Sequence, residues 1–254
     1  MGSAVIPLRD DNPTSRRAIV TLVLMALCAV VYFAVQPSPF AATNADSTFY
    51  YAHAAIPFEV VHHRPITACE AIDKAKLRIP RSQTCDVPIA PKKHVWLAMV
   101  WSIFLHGSIM HLLGNLLFFW TFGNNVEDRL GRIVFPIFYV AGGLVATATH
   151  IAFHRNDIAP VVGASGAIAA LMGAYLVWWP RARVSTLLFG FFPATLRAGW
   201  VLAAWFVMQF FTGSASGVAW IAHVGGFVFG ALVALPLRVL RPRRSEPRSA
   251  VYRI

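Results

Sequence analysis

Long apolar runs, separated by polar segments, dominate the chain. Because about 20 apolar residues in a helix cross the hydrocarbon core of a bilayer, this pattern predicts six membrane-spanning helices. Their predicted positions are Ala18–Val35, part of Val95–Phe122, Ile133–Phe153, Val161–Trp179, Ala198–Phe211 and Val218–Leu240. No internal repeat is evident. The predicted fold class is therefore an all-α membrane protein with a six-transmembrane-helix bundle.

The second apolar run, Val95–Phe122, is longer than one crossing requires. His106-Gly107-Ser108 interrupts it near the middle, and one continuous helix would bury histidines deep in hydrocarbon, which is costly. We therefore predict that Val95–Leu105 forms a partly embedded or interfacial helix. The second span then begins near Gly107.

The polar segments and their charges predict the domain organisation. Lysine and arginine concentrate in residues 1–17, in the short segments after spans two and four, and in residues 241–254. Cytoplasmic loops carry such an excess. We expect a cytoplasmic N-terminal segment 1–17, a membrane domain 18–240 with a long outer loop 36–94, and a basic cytoplasmic tail 241–254. No A-x-A-like cleavage site closely follows the first span, so we expect it to be retained.

The composition narrows the class of protein further. Hydrophobic residues make up 57% of the chain and charged residues 13%, whereas soluble domains carry about 25% charged residues. The net charge of +11 would suggest nucleic-acid binding in a soluble protein. Here the basic residues flank apolar runs, so membrane topology explains them better. The predicted partner is a lipid bilayer and not nucleic acid.

The three cysteines do not form a metal-binding pattern. Cys28 lies inside the first apolar run and is interpreted as a packing residue. Cys69 and Cys85 lie in one polar segment without the close spacing of a zinc site. A disulfide between them is possible if that segment faces an oxidising compartment, and the sequence leaves the choice open.

Four polar residues inside the predicted spans are candidates for a functional site: His111, Asn115, Ser165 and His223. Polar side chains inside a membrane usually mark function. Spans two, four and six run in the same direction, and each candidate lies within the first turns of its span. We therefore expect all four at a similar depth, a few ångströms below the outer surface.

These residue types are suited to nucleophilic catalysis. A serine hydroxyl attacks only when a base takes its proton, and histidine is the usual base. His111 and Asn115 share a helix face at i and i+4, from which both could donate hydrogen bonds to an oxyanion. Small residues flank Ser165, including Gly163 and Gly166, and would expose its backbone N–H. The only nearby carboxylate is Asp157, in a loop, so we predict a Ser-His dyad.

Other interpretations of the same residues compete with catalysis. A serine in a span can bond to its own helix or a neighbour. The histidines His106, His111, His150 and His223 could bind a metal or haem, but no H-E-x-x-H pattern is present. We predict no metal and no cofactor. Gly226 and Gly230 are interpreted as helix-packing residues. A transporter or channel would need polar residues along the whole bundle, whereas these cluster near one side.

The motifs together resemble the rhomboid family of intramembrane proteases. His111-Leu-Leu-Gly-Asn115 resembles its HxxxN motif, Gly163-Ala-Ser165-Gly166 its GxSG motif, and Ala222-His223-Val-Gly-Gly226 with Gly230 its AHxxGxxxG motif. The segment Phe122–Gly131 is similar to the loop after span two in bacterial rhomboids. The resemblance extends over about Trp96–Leu235.

The resemblance implies an activity and a location. Ser165 would be acylated by a transmembrane protein substrate, His223 would act as base, and Asn115, His111 and the Ser165 N–H would hold the oxyanion. Substrate access would be gated near span five, with gate candidates Trp205, Phe206 and Phe210, which packing or lipid contact explains equally well. The location would be the bacterial inner membrane, with both termini cytoplasmic and the active site open to the outside.

Two departures from the family pattern, and one alternative function, accompany the resemblance. Several rhomboids have an aromatic residue four positions after the serine, stacked on the catalytic histidine, but here that residue is Ala169. The Trp-Arg pair of some members is absent from residues 36–94.

A non-proteolytic rhomboid-like protein that binds clients is the alternative, and the intact Ser165 and His223 argue against it.

Overall fold

The computed structural model describes residues 5–37, 44–74, 85–211 and 219–240. The predicted basic tail, 241–254, lies outside the described residues. Within them the chain forms ten α-helices and a small three-stranded sheet. The helices are α1 Ile19–Val30, α2 Asn44–His53, α3 Pro57–His62, α4 Ala68–Lys74, α5 Val95–Ser102, α6 Ile109–Leu130, α7 Val134–Phe153, α8 Ser165–Trp178, α9 Ala198–Gln209 and α10 Trp220–Leu240. The strands are β1 Val5–Asp10, β2 Arg183–Leu188 and β3 Phe192–Arg197.

Helices occupy the six predicted spans, but the described residues form ten helices of unequal length instead of the six predicted. Only α7 and Trp220–Arg238 within α10 are both long and apolar enough to cross a membrane by themselves, among the described residues. α1 with the π-helical turn Val31–Val35, α8 and α9 are shorter apolar helices. Helices α2, α3 and α4 lie in the segment predicted as an outer loop, and the sheet is an addition to the predicted all-α fold.

The break predicted in the Val95–Phe122 run is present. α5 ends at Ser102 and α6 begins at Ile109, where the Ser108 side chain caps the helix by accepting a hydrogen bond from the His111 N–H at 3.1 Å. Gln36 stabilises the break, because its amide donates to the His106 carbonyl at 2.8 Å and accepts from the His106 N–H at 2.9 Å. A single side chain therefore satisfies buried backbone groups that a continuous helix would have paired.

Helix α8 forms the centre of the fold. Its residues 166–175 are all buried, mostly as alanine, glycine and other small side chains, and α6, α7 and α10 pack around it. A Cβ atom at Gly226 or Gly230 would collide with the backbone carbonyl oxygen of Gly166 or Ala170, respectively. The two helices therefore approach backbone to backbone, as small-residue interfaces in membranes do.

The sheet joins the chain segments at one end of the bundle. β1 pairs antiparallel with β2, and β2 with β3, so the N-terminal segment lies beside the connection between α8 and α9. Asn12 donates to Asn125 at 2.6 Å and Ser15 contacts Asp128, which adds the end of α6 to this group. Three of the segments predicted to be cytoplasmic thus lie together: the N-terminal segment, the end of α6 and the connection between α8 and α9.

The opposite end carries the segment after α1. The backbone of Ala55 bridges Val161, and the Ala55 N–H donates to the Ser102 hydroxyl at 2.6 Å. Glu59 and Lys93 form an ion pair whose side chains are almost fully buried. Cys69 and Cys85 are joined by a disulfide, with Cα atoms 4.9 Å apart, and Cys28 is a free, buried thiol.

The segment Phe122–Gly131, which is similar to the loop after span two in bacterial rhomboids, is almost entirely helical here. Residues 122–130, interpreted as part of the loop after span two, form the last turns of α6, and Gly131 ends the helix with a φ of +79°. The backbone remains helical there, and residues outside the helix satisfy the hydrogen-bonding groups of its polar side chains. Glu127 accepts hydrogen bonds from the backbone N–H groups of Val20 and Thr21, at the start of α1.

Candidate active site

Ser165 is the first residue of α8 rather than a residue one turn inside it. The preceding Gly163 has a φ of +124°, which a helix does not allow, so α8 cannot begin earlier. The Gly163 N–H donates to the Ser102 carbonyl at 2.8 Å, which fixes this connection to the end of α5. The N–H of a first helical residue has no acceptor within its own helix. The Ser165 N–H is therefore available beside its own hydroxyl.

His223 lies in the first turn of α10 and meets Ser165. The His223 Nε2 is 2.8 Å from the Ser165 Oγ, at hydrogen-bond distance. The residues are 58 positions apart in the chain, and the close approach of α8 and α10 brings them together. This pair is the nucleophile–base geometry that a serine hydrolase requires.

Gln209, the last residue of α9, contacts the other nitrogen of the His223 ring. Its Oε1 lies 2.7 Å from His223 Nδ1, and its Nε2 donates to the carbonyl of Trp205 at 3.0 Å. Gln209 is buried. No pattern in the sequence identified Gln209, because it belongs to none of the motifs and lies in an otherwise apolar helix.

His111 lies against the glycine turn that precedes Ser165. A Cβ atom at Gly163 would fall 2.7 Å from both Cε1 and Nε2 of the His111 ring, and 3.5 Å from the Ser165 Oγ. The absence of a side chain at Gly163 thus leaves room for the imidazole next to the serine. The ring of His106, completely buried, meets the His111 ring edge to face at 5.2 Å between centroids.

Asn115 lies one turn further along α6, on the same face as His111. Its side chain is buried, and its Nδ2 has no hydrogen-bond partner within the described residues. A buried amide without a partner is unfavourable unless a bound group later accepts from it. Its placement therefore agrees with a donor kept for a substrate oxygen.

The glycines predicted to support the site lie at close contacts between helices. A Cβ atom at Gly166 would lie 2.5 Å from the Ala146 Cβ of α7. Gly226 and Gly230 face the α8 backbone, as described above. Gly173, which belongs to none of the sequence motifs, faces the carbonyl of Phe227 in the same interface. Together they let α10 bring His223 next to the first residue of α8.

Two of the three gate candidates, Trp205 and Phe206, pack against α10. Trp205 lies 5.7 Å from the His223 ring and 6.1 Å from Phe227, between centroids, and Phe206 lies 4.7 Å from Phe227. Phe210 is 55% exposed and meets Trp220 at 5.7 Å. Ala169 is fully buried. The neighbour that an aromatic residue at this position would have supplied to the His223 ring comes from Trp205.

Among the described residues, no group of three close potential metal-ligand atoms includes a residue of this site. Within the described residues, the one group of three close ligand atoms comprises Cys69, Cys85 and Asp86. Its two cysteines are joined by a disulfide, so they do not offer thiolates. His150 lies in α7 and stacks on His154 at 4.5 Å.

Comparison with known proteins identifies relatives across the region that holds these residues. The family model described as the Rhomboid domain matches residues 93–239. Similar proteins include presenilin-associated rhomboid-like protein A, mitochondrial, of Danio rerio, with 31% identity over 53% of this chain and 36% of that protein. RHOMBOID-like protein 1 of Arabidopsis thaliana is 26% identical over 73% of this chain and 47% of that protein. Rhomboid protease GlpG of Yersinia pestis (strain Pestoides F) is 30% identical over 52% of this chain and 44% of that protein.

The sequence identity to these relatives is low, and the similarity extends over only part of their length. The matched regions cover less than half the length of each of these three relatives. They also differ in source: one is named as a mitochondrial protein of a fish, one comes from a plant and one from a bacterium.

Proposed function

The chain belongs to the rhomboid family, whose members are integral membrane proteins, and we propose that it is an intramembrane serine endopeptidase acting through a Ser165–His223 dyad. The observation that carries the proposal is the 2.8 Å separation between Ser165 Oγ and His223 Nε2. The substrates would be transmembrane segments of other membrane proteins, cleaved near their outer ends. The six-helix bundle would span the membrane, with the paired sheet at the cytoplasmic side.

The proposed reaction proceeds in two halves. His223 Nε2 takes the Ser165 hydroxyl proton while Oγ attacks the scissile carbonyl carbon, which gives a tetrahedral oxyanion. The C–N bond then breaks, the leaving amine receives the proton from His223, and an acyl-enzyme remains. A water molecule, deprotonated by His223, attacks the ester, and Ser165 recovers its proton when the acid product leaves.

Three donors are available for the oxyanion in this proposal. The Ser165 N–H points out of the first turn of α8, where the helix dipole also favours negative charge. The buried Nδ2 of Asn115 has no partner among the described residues. The His111 ring lies beside the same glycine turn. Such preorganised donors stabilise the transition state more than the ground state.

The domain organisation belongs to the same proposal. Residues 1–17 would be cytoplasmic, residues 18–240 would form the membrane domain with its outer segment 36–94, and residues 241–254 would be a basic cytoplasmic tail. The disulfide between Cys69 and Cys85 agrees with an outer segment in an oxidising compartment. A bacterial inner membrane would provide this arrangement.

The test is cleavage of a transmembrane substrate reconstituted with the full chain in liposomes. Ser165→Ala and His223→Ala should abolish cleavage, while Ser185→Ala, on β2, should cleave at the wild-type rate. A fluorophosphonate probe should label wild-type Ser165 and leave His223→Ala unlabelled. Cleavage that persists in Ser165→Ala, or that a metal chelator abolishes, would refute the serine-protease assignment.

A further inference from the structure

The contact between His223 and Gln209 suggests how the base is oriented without an aromatic residue at Ala169. We infer that Gln209 is a positioning residue, which holds the His223 imidazole in the tautomer that can accept the serine proton. The inference rests on the proposed function, because the tautomer matters only if His223 acts as a base. Gln209 itself would not touch the substrate.

The hydrogen bonds of Gln209 fix the direction of its amide group. Its Nε2 lies 3.0 Å from the Trp205 carbonyl oxygen, which can only accept. The opposite orientation would place two acceptors against each other. The Gln209 Oε1 therefore faces His223, at 2.7 Å from Nδ1. A carbonyl-type oxygen at this distance requires a proton on Nδ1.

A proton on Nδ1 leaves Nε2 of the neutral ring as an acceptor. Nε2 lies 2.8 Å from the Ser165 Oγ, so the serine hydroxyl donates to the base. The hydrogen bonds thus run in one direction, from Ser165 to His223, from His223 to Gln209, and from Gln209 to the Trp205 carbonyl. With the other tautomer, His223 Nε2 would carry a proton and could not take one from the serine.

The contact also favours the transition state over the ground state. When His223 accepts the serine proton, the ring becomes an imidazolium and its Nδ1–H becomes a stronger donor. The hydrogen bond to the Gln209 oxygen then becomes charge-assisted, and such bonds are roughly twice as strong as neutral ones. An interaction that strengthens as the reaction proceeds accelerates the chemical step.

The same helix supplies a second constraint on the ring. Trp205 and Gln209 are four residues apart in α9 and therefore share a face. The Trp205 ring lies 5.7 Å from the His223 ring, while Gln209 bonds to its Nδ1. Helix α9 thus contributes the orientation of the base, whereas α8 contributes the nucleophile and α10 contributes the base itself.

The experiment compares kcat, KM and pH–rate profiles of the full chain in liposomes. Gln209→Leu should lower kcat roughly ten- to a hundredfold, the effect of losing one hydrogen bond to a group charged in the transition state. KM should stay within about twofold, because Gln209 does not contact substrate. Val207→Leu, at an exposed position on the same helix, should retain wild-type kinetics.

Gln209→Glu separates positioning from a purely structural role. The carboxylate can still accept from Nδ1, so the variant should recover activity at alkaline pH. Because the negative charge favours the imidazolium, the acidic limb of its pH–rate profile should move to higher pH, by about one unit. A side chain at position 209 that packs without contacting the His223 ring would leave the position of this limb unchanged. The rate at which a fluorophosphonate labels Ser165 should fall from wild type to Gln209→Glu to Gln209→Leu. This measurement needs no protein substrate.

The outcomes separate this inference from the proposed function. If Ser165→Ala is inactive but Gln209→Leu matches wild type in kcat, the positioning role is wrong and the dyad stands. A Gln209→Glu profile that superimposes on the wild-type profile would also overturn it. If Ser165→Ala cleaves as fast as wild type, the proposed function fails and the positioning role fails with it.

Discussion

The side chain of Glu127, near the end of α6, caps the start of α1 through Thr21. Its Oε2 accepts from the Thr21 N–H at 2.7 Å and from the Thr21 hydroxyl at 2.8 Å, and its Oε1 accepts from the Val20 N–H at 3.0 Å. The first N–H groups of a helix have no partner of their own, and a negative charge there also interacts favourably with the helix dipole. Glu127 therefore joins the first helix to the helix that carries His111 and Asn115.

Removal of this cap should destabilise the fold. Glu127→Ala leaves three donors without their acceptor in a buried position, so we expect the free energy of unfolding to fall by roughly 2–4 kcal/mol. Unfolding in mixed micelles with increasing SDS measures the change. Asp128→Ala is the matched control, since Asp128 accepts from Ser15 in an exposed position and should cost about 1 kcal/mol or less. Equal effects of the two substitutions would contradict a buried capping role.

Loss of Asn115 should slow the reaction without unfolding the protein. Asn115→Ala removes a buried amide whose Nδ2 has no partner in the described structure, so the resting fold loses little. The rate of cleavage should fall by roughly 10²–10³-fold, as for other lost oxyanion donors. The measurement is kcat in liposomes together with the unfolding midpoint. Leu113→Ala, at an exposed position of the same helix, is the control, and an unchanged rate in Asn115→Ala would remove it from the oxyanion role.

A side chain at Gly230 should force α8 and α10 apart. A Cβ atom there would overlap the backbone carbonyl of Ala170, which cannot rotate away. Gly230→Ala should therefore lower stability by roughly 3 kcal/mol and, by displacing His223 from Ser165, reduce probe labelling of the serine.

Gly107→Ala provides the comparison for this substitution. A Cβ atom at Gly107 meets nothing within 4 Å, so its unfolding free energy should change by less than about 0.5 kcal/mol. Wild-type stability and labelling in Gly230→Ala would show that the two helices are not held at backbone contact.

Asp10, the last residue of β1, should make stability depend on pH. Its carboxyl group accepts hydrogen bonds from the Tyr175 hydroxyl at 2.6 Å and from Asn125 at 2.7 Å. Burial raises the pKa of Asp10 from 3.8 to about 6, although the bond from Tyr175 acts in the opposite direction. Since the folded state holds the proton more tightly, the contribution of Asp10 to stability is full below about pH 4 and decreases as the pH rises to about 6.

Asp10→Asn isolates this contribution. The amide oxygen can still accept from Tyr175 but does not ionise, so the variant should gain stability relative to wild type as the pH rises. The difference between the two free energies of unfolding should grow between pH 4.5 and pH 7.5, by at most roughly 3 kcal/mol. Thermal unfolding in detergent at both pH values measures it. A difference that stays constant, or that shrinks with rising pH, would contradict a raised pKa.

The sequence by itself was sufficient to predict the apolar helices and to identify the family. The hydrophobic pattern predicted helices at the positions of α1 and α6–α10, and His106-Gly107-Ser108 correctly indicated a break between α5 and α6. Local signals of this kind depend on residues a few positions apart, so a single sequence contains them. The family followed from three motifs in the correct order, and the match over residues 93–239 confirms it.

Contacts between residues far apart in the chain were decided only by the tertiary structure. The pairing of β1 with β2 joins segments about 180 residues apart, and no local pattern in short, mixed strands specifies a partner. Residues 122–130 were interpreted as a loop by their similarity to bacterial rhomboids, yet they are helical, and Asp10, Asn12 and α1 satisfy their polar side chains.

The candidate site divides in the same way. Ser165, His223, His111 and Asn115 were selected from the sequence because polar residues are rare and costly inside apolar spans. Gln209 satisfies the same criterion, but it belongs to no motif, and only the packing of α9 against α10 brings its oxygen to His223 Nδ1. The residue types that can do the chemistry could thus be identified from the sequence. The orientation of the base was not, because it depends on a hydrogen bond between two helices.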